Sequence, residues 1–185
     1  NTALAGVAGA AMIPHLSGCK GAATASGEIR LGFIGLGRQA MFLMNGFIQI
    51  PGVKVLAGWD VYGIKRKRFE KRVTDYYTKA GTEFSVDTYE RYSEVLKRKD
   101  IDAVVIAVPD HAHAMIAIAA CKAGKDVYLE KPMTFTIREG QELRKVVRET
   151  NRILGVGSQQ RSIQEFQHAV KLVQDGALGR ITKVN

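Results

Sequence analysis

The stretch Ile29-Arg-Leu-Gly-Phe-Ile-Gly-Leu-Gly-Arg-Gln-Ala40 decides how this chain folds. Its first half is a short apolar run ending in glycines, which reads as a buried strand. Its second half, Gly35-Leu-Gly-Arg-Gln-Ala40, has the form G-x-G-x-x-G/A, and each position has a physical task. Gly35 permits a tight turn, Gly37 lets the backbone approach a pyrophosphate, and Ala40 is small enough for close helix–strand packing. The pattern alone is weak. Here a strand precedes it and an apolar helical segment, residues 39–50, follows it, which is the context the reading requires. The free N–H groups and positive dipole end of that helix suit a phosphate. Gly35, Gly37, Arg38 and Gln39 are therefore expected at a cofactor's phosphates.

A second apolar run, Val53–Trp59, ends at Asp60, 23 residues after Gly37. A carboxylate there accepts both hydroxyls of an adenosine ribose, which favours NAD over NADP. The competing reading makes Asp60 a cap of the next helix. Directly after it come Lys65, Arg66, Lys67, Arg68, Lys71 and Arg72 with Glu70, a net +5. Such a run is a solvated helix face or an attractor of anionic ligands. Lys65 or Arg66 beside the ribose would neutralise a 2′-phosphate, so NADP stays open as cofactor.

Outward from these segments, strand and helix patterns alternate. Strands are expected at 84–86, 101–108, 126–129, 153–156 and from 181 onward. Helices are expected at 63–80, 89–97, 113–123, 137–149 and 162–175. Near-continuous apolar strands separated by helices indicate a mostly parallel sheet covered on both faces. The fold class is α/β, a Rossmann-type doubly wound sheet. The chain has 185 residues, 46% hydrophobic and 24% charged, with a net charge of +9. That balance excludes a wholly disordered or fibrous chain. Two cysteines are too few for a disulfide scaffold. No metal site is expected, because the histidines and cysteines show no paired ligand spacing beyond His111 and His113. Nucleic acid is not an expected partner, since the basic run lacks a nucleic-acid motif.

Residues 1–27 differ from the rest. They hold one charge, Lys20, and an apolar Ala- and Gly-rich stretch over 3–13. That length suits the central part of a secretory signal and is too short for a transmembrane helix. Leu16-Ser-Gly-Cys19 follows, resembling a bacterial lipobox with Cys19 as the lipidated residue. With no initiator Met and no positive segment before the apolar stretch, the signal reads as truncated at the front. The expectation is an exported, periplasmic or envelope protein, touching the membrane only through Cys19. If the leader reading is wrong, the protein is cytoplasmic. Three segments are expected: 1–27, signal and tether; 28–158, the NAD(P)-binding domain; and 159–185, a linking helix and the start of a second, substrate domain.

Ligands of such sheets lie beyond the carboxyl ends of the strands. One strand ends at Val108-Pro-Asp-His-Ala-His113 and another at Glu130-Lys-Pro132, so these polar residues converge on one crevice. Asp110 is also a candidate helix cap, His111 a structural histidine, and Lys131 a surface charge. At these residues the chain resembles the glucose–fructose oxidoreductase, inositol dehydrogenase and rhizopine-catabolism (Gfo/Idh/MocA) family. Asp126-Val-Tyr-Leu-Glu-Lys-Pro-Met133 is similar to its E-K-P motif, and Ala107-Val-Pro-Asp-His-Ala-His113 to its pattern of a proline followed four residues later by a histidine. Cys121-Lys-Ala-Gly-Lys125 and Gly155-Val-Gly-Ser-Gln-Gln-Arg161 resemble a secreted branch.

The resemblance implies a nucleotide-binding domain followed by a second α/β domain that holds most substrate contacts and the proton-transferring histidine. It implies that Lys131 sits beside the nicotinamide, with Pro132 shaping the turn through a cis bond and Glu130 and His113 lining the pocket. Lys131 and, secondarily, His113 are the candidate catalytic residues. The cofactor is held by Gly35, Gly37, Arg38, Gln39, Asp60, Val108, Pro109, Asp110, Glu130 and Lys131, with Gln159 and Arg161 near nicotinamide or substrate. The activity implied is hydride transfer between a sugar or cyclitol and NAD(P), by a protein that forms homo-oligomers when full length. Export adds that the cofactor is retained and regenerated within each cycle. That opens a second reading, a redox-assisted NAD-dependent glycosidase, although the best-known branch of that kind lacks the E-K-P lysine. A third reading is a non-catalytic nucleotide-binding sensor.

Overall fold

The computed structural model describes residues 27–184. Cys19 and the expected signal lie outside the described residues. Strands and helices alternate as β1 (Ile29–Ile34), α1 (Arg38–Phe47), β2 (Val53–Trp59), α2 (Gly63–Lys79), β3 (Asp87–Tyr89), α3 (Tyr92–Lys97), β4 (Ala103–Ile106), α4 (His113–Lys122), β5 (Asp126–Leu129), α5 (Ile137–Thr150), β6 (Leu154–Val156) and α6 (Gln164–Gln174). Short 3-10 turns occupy Asp110–Ala112 and Gln159–Ser162. All strand pairs are parallel, in the order β3-β2-β1-β4-β5-β6.

Alternating side chains build two cores. Leu31, Phe33, Val55 and Val105 pack with Leu43, Met44, Phe69 and Val73 on the face covered by α1 and α2. Ile34, Val104, Ile106, Val127 and Leu129 pack with Ile116, Ala117, Ala120 and Leu143 on the face covered by α4 and α5. Each fully buried Leu, Ile, Val or Phe contributes ~1.5–3 kcal/mol relative to exposure, which is why the central strands are apolar on both sides. α5 begins on a reciprocal capping box between Thr136 and Glu139 and ends at Asn151 in the left-handed region, φ 52°.

The amino ends of the strands are held by charge. Arg30 clasps Asp102 through two side-chain bonds of 2.9 Å, tying β1 to the start of β4. Buried Lys125 donates to the carbonyls of Arg98 and Ile101, at 2.5 and 2.8 Å, and burial holds its pKa below the usual lysine value.

Three expectations shift. The third strand pairs at Asp87–Tyr89, not 84–86. Phe84 instead stacks on Tyr77, centroids 4.4 Å apart, and Val86 is buried in the core. The strand expected over 101–108 is paired only at Ala103–Ile106, because the chain leaves the ladder to form the wall of the crevice. Residues 181–184 form no strand and are exposed. The strand order reverses between β1 and β4, which opens the crevice above their carboxyl ends.

Candidate functional site

The glycine turn leaves β1 directly into this crevice. Gly35 has φ +86°, and a Cβ there would lie 2.5 Å from the carbonyl oxygen of Ala107, so no side chain fits. Leu36 is buried and held at both ends. Its N–H donates to Asp60 Oδ2 at 2.9 Å, and its carbonyl accepts from Arg68 Nη2 at 2.8 Å. Gly37 is the N-cap of α1 with ordinary extended backbone, and a Cβ there would meet nothing within 4 Å. The two glycines therefore do different things: Gly35 is required by the protein itself, whereas Gly37 leaves open space before the unpaired N–H groups of the first turn of α1.

Asp60 is 5% exposed and is not the N-cap of α2, a position that Tyr62 takes. Besides holding Leu36, it accepts from the N–H of Tyr62, the N-cap of α2, at 3.0 Å. It still lines a cavity of about 470 Å³ with Gly35, Gly37, Arg38, Val108 and Pro109. Lys65 Nζ stands 3.4 Å from its carboxylate and 4.7 Å above the Tyr62 ring. Arg66 is turned elsewhere. It donates to the carbonyl of Asp60 at 2.7 Å and pairs with Glu90 at 2.6 Å. An open cradle above Gly37, a helix N-terminus and a carboxylate at the cavity wall fit a dinucleotide's diphosphate and ribose.

A second cavity, about 220 Å³, shares Gln39, Ala107 and Val108 with the first. Asp110, His113, Glu130 and Lys131 complete it. Glu130 is 5% exposed. Its Oε1 accepts from Gln39 Nε2 at 3.0 Å and its Oε2 from the Lys131 N–H at 3.2 Å. The same Gln39 amide donates to Gln159 Oε1 at 2.8 Å, while Gln159 lines a neighbouring groove with Phe42, Phe47 and Tyr128. The Lys131–Pro132 bond is cis. Lys131 is exposed, and among the described residues no hydrogen bond or ion pair engages its ammonium.

His113 lines the cavity but has no nitrogen free for proton transfer: Nε2 faces the Val108 carbonyl at 3.0 Å and Nδ1 the Pro132 carbonyl. Arg161 lies in a separate groove with Phe166, Gln167 and Val170. Gln159 and Arg161 of the same 3-10 turn, where residues two apart point roughly 120° away from each other, thus line different grooves. A further groove of about 360 Å³ between α1 and α2, lined by Asn45, Arg72, Asp75 and Lys79 among others, contains none of the expected site residues.

Residues 29–158 match the family model described as the Gfo/Idh/MocA oxidoreductase family, NAD-binding Rossmann fold. The chain belongs to this family. It is 28% identical over 155 residues to scyllo-inositol 2-dehydrogenase (NAD(+)) of Bacillus subtilis, covering 83% of this chain and 42% of the relative. It is 35% identical over 112 residues to glycosyl hydrolase family 109 protein 2 of a Shewanella species (strain ANA-3), covering 60% of this chain and 24% of that protein. The structure resembles that of scyllo-inositol dehydrogenase from Lactobacillus casei with bound NAD(H) and scyllo-inositol, TM-score 0.71 at 25% identity, covering 84% of this chain and 43% of the other. The chain thus spans about a quarter to two fifths of these relatives.

Two residues of this Gfo/Idh/MocA domain were not singled out from sequence. Arg68 looks like one more cation of the basic run, and nothing in its spacing marks the bond to Leu36. Gly157 carries a clearer signal, as the second glycine of Gly155-Val-Gly157 at a strand end. A Cβ on it would come within 2.7 Å of Glu130 Oε1. Glu130 therefore occupies the room that Gly157 leaves.

Proposed function

We propose that the full-length protein is an NAD-dependent oxidoreductase of a sugar or cyclitol, with this chain supplying the nucleotide-binding half and Lys131. The observation that carries this reading is the unengaged Lys131 ammonium on a small polar cavity that shares a wall with the larger dinucleotide-shaped one. A nicotinamide supplies hydride acceptance and return when bound. The chain's own residues do the rest. Gly37 and the first turn of α1 receive the diphosphate, and Asp60 receives the ribose hydroxyls. Glu130 fixes the backbone on one side of Lys131. Lys131, a compact cation, stabilises the alkoxide that develops as the substrate hydroxyl loses its proton. The proton acceptor belongs to the second domain that residues 159–185 lead into.

Asp60 favours NAD over NADP. Its carboxylate already answers the charge of Lys65, and Arg66 is committed to Glu90 and backbone carbonyls. Purified full-length protein should carry or bind NAD, and scyllo-inositol, myo-inositol or related sugars should raise absorbance at the reduced-nicotinamide band. Lys131→Ala should abolish that signal in protein still saturated with NAD. Turnover by the variant equal to that of the parent refutes the assignment.

A second reading follows from the similarity to a glycosyl hydrolase family 109 protein. In it, transient oxidation of a sugar carbon permits elimination of the glycosidic bond before the hydride returns. An envelope location, if the segment around Cys19 is a lipoprotein signal, favours such redox-neutral chemistry because the cofactor is retained. Release of aglycone from aryl glycosides without added cofactor supports this reading against the first.

A further inference from the structure

His113 opens α4 and is 1% exposed. Its ring stands between two loops. Nε2 lies 3.0 Å from the carbonyl oxygen of Val108, at the end of the β4 segment, and Nδ1 lies 2.5 Å from that of Pro132, just after Lys131. A carbonyl oxygen only accepts, so each contact is a hydrogen bond only when the facing nitrogen carries a hydrogen. The neutral ring carries one, and would aim a bare lone pair at the other oxygen in a place closed to water. The doubly protonated ring carries two. The titratable groups around the same cavity are Asp110 from the 3-10 turn and Glu130 and Lys131 from the end of β5.

We propose that His113 is a positioning residue that donates from both ring nitrogens. It acts as a rigid strut fixing the Lys131 loop against Val108, the wall shared with the dinucleotide cavity. The strut complements Glu130: the backbone is held before Lys131 by the carboxylate and after it by the ring, and only the lysine ammonium is left for a ligand. This inference rests on the reading of Lys131 given above, but its tests use no turnover, so the two fail separately.

Full-length protein labelled with 15N in its histidine rings tests it, with the His113 signals assigned through contacts to Val108 and Pro132. At pH 7 both ring nitrogens should show the shifts and attached hydrogens of N–H groups. A pyridine-type nitrogen on this ring overturns the proposal. His113→Phe keeps a flat ring and removes both donors. In the full-length variant, backbone hydrogen exchange over residues 130–136 should accelerate at least about tenfold, with β1 and β2 unchanged. Unchanged exchange in that segment, or equal acceleration throughout the domain, also overturns it. If the variant does not fold, the spectrum of the parent protein still decides.

Discussion

Replacing Gly37 by alanine should separate binding from folding. The position has φ −71° and ψ −172°, which alanine adopts freely, and the new methyl group would meet no protein atom within 4 Å. Removing a glycine from the unfolded ensemble gains ~0.4–1 kcal/mol, while losing glycine at an N-cap costs up to about the same. The melting temperature should therefore hardly move. The space the methyl group takes is the space a diphosphate needs against the first turn of α1. Two charge-assisted hydrogen bonds there contribute ~1.5–3 kcal/mol each, so their loss weakens binding by at least ~3 kcal/mol, or roughly 150-fold. Titration of NADH into full-length protein, followed by fluorescence, and a thermal melt of the same samples measure both quantities. Gly35→Ala is the contrast. Its methyl group would sit 2.5 Å from a backbone oxygen at φ +86°, which costs ~1–2 kcal/mol for the left-handed backbone and ~1–3 kcal/mol for the clash. That lowers the melting temperature by roughly 4–20 °C. A Gly37→Ala protein that melts normally and binds NADH with undiminished affinity refutes the account of this turn.

Asp60→Ala should do two things at once. It strands the N–H groups of Leu36 and Tyr62, lowering unfolding free energy by ~1–3 kcal/mol, and it frees Lys65, shifting the ratio of NAD to NADP affinities toward NADP by roughly tenfold; a ratio that stays put counts against the ribose role. Gly157→Ala drives a methyl group to 2.7 Å from Glu130 Oε1. Both oxygens of that buried carboxylate are already engaged, so it cannot swing aside freely, and a loss of ~1–3 kcal/mol is expected in urea unfolding. Lys125 predicts a pH effect. Its pKa is lowered in the folded protein from 10.5 by burial, so the unfolded chain binds more protons between the lowered value and 10.5, and stability contributed at this site rises with pH across that window. Lys125→Met should remove this upward slope in urea midpoints measured from pH 8 to 10, and an unaltered slope would show that the ammonium is not the cause.

The parts of the molecule legible in sequence are those where one local pattern meets one requirement. Glycines after an apolar strand require a turn against a helix, and that turn stands where Gly35 and Gly37 placed it. Apolar runs at Val104–Ile106 and Val127–Leu129 need cover on both faces, and helices supply it. Legibility fails where the outcome depends on a partner distant in the chain. Phe84 and Val86 have strand-like composition, yet Tyr77 and the core take their side chains and leave the ladder to Asp87–Tyr89. His113 reads as a secondary candidate catalytic residue until Pro132, 19 residues away, is found against its ring. Arg161 and Gln159 are two residues apart in sequence, and only the tightness of the 3-10 turn sends them to different grooves.

The basic run of α2 shows the same limit in terms of charge. Summed over the sequence it is a net +5 beside a nucleotide site, which reads as attraction for a phosphate. In the fold that charge is divided by geometry. Arg66 is drawn to Glu90, Arg68 reaches back to the Leu36 carbonyl, Lys71 pairs with Asp75 and Arg72 bonds Asn45. Of the run, Lys65 lines the larger cavity and stands against the Asp60 carboxylate, while Arg38 of the glycine turn lines the same cavity. Long-range attraction of an anionic cofactor survives this partition, because exposed charges still sum over about a Debye length of ~8–10 Å. Selectivity for a 2′-phosphate is a separate matter, because it needs an uncompensated donor within hydrogen-bond reach of one oxygen, and the cation of the run nearest the cavity already faces Asp60. On the reading proposed above, the run is expected to bear on how fast a dinucleotide arrives, and Asp60, Lys65 and Arg38 on which dinucleotide stays.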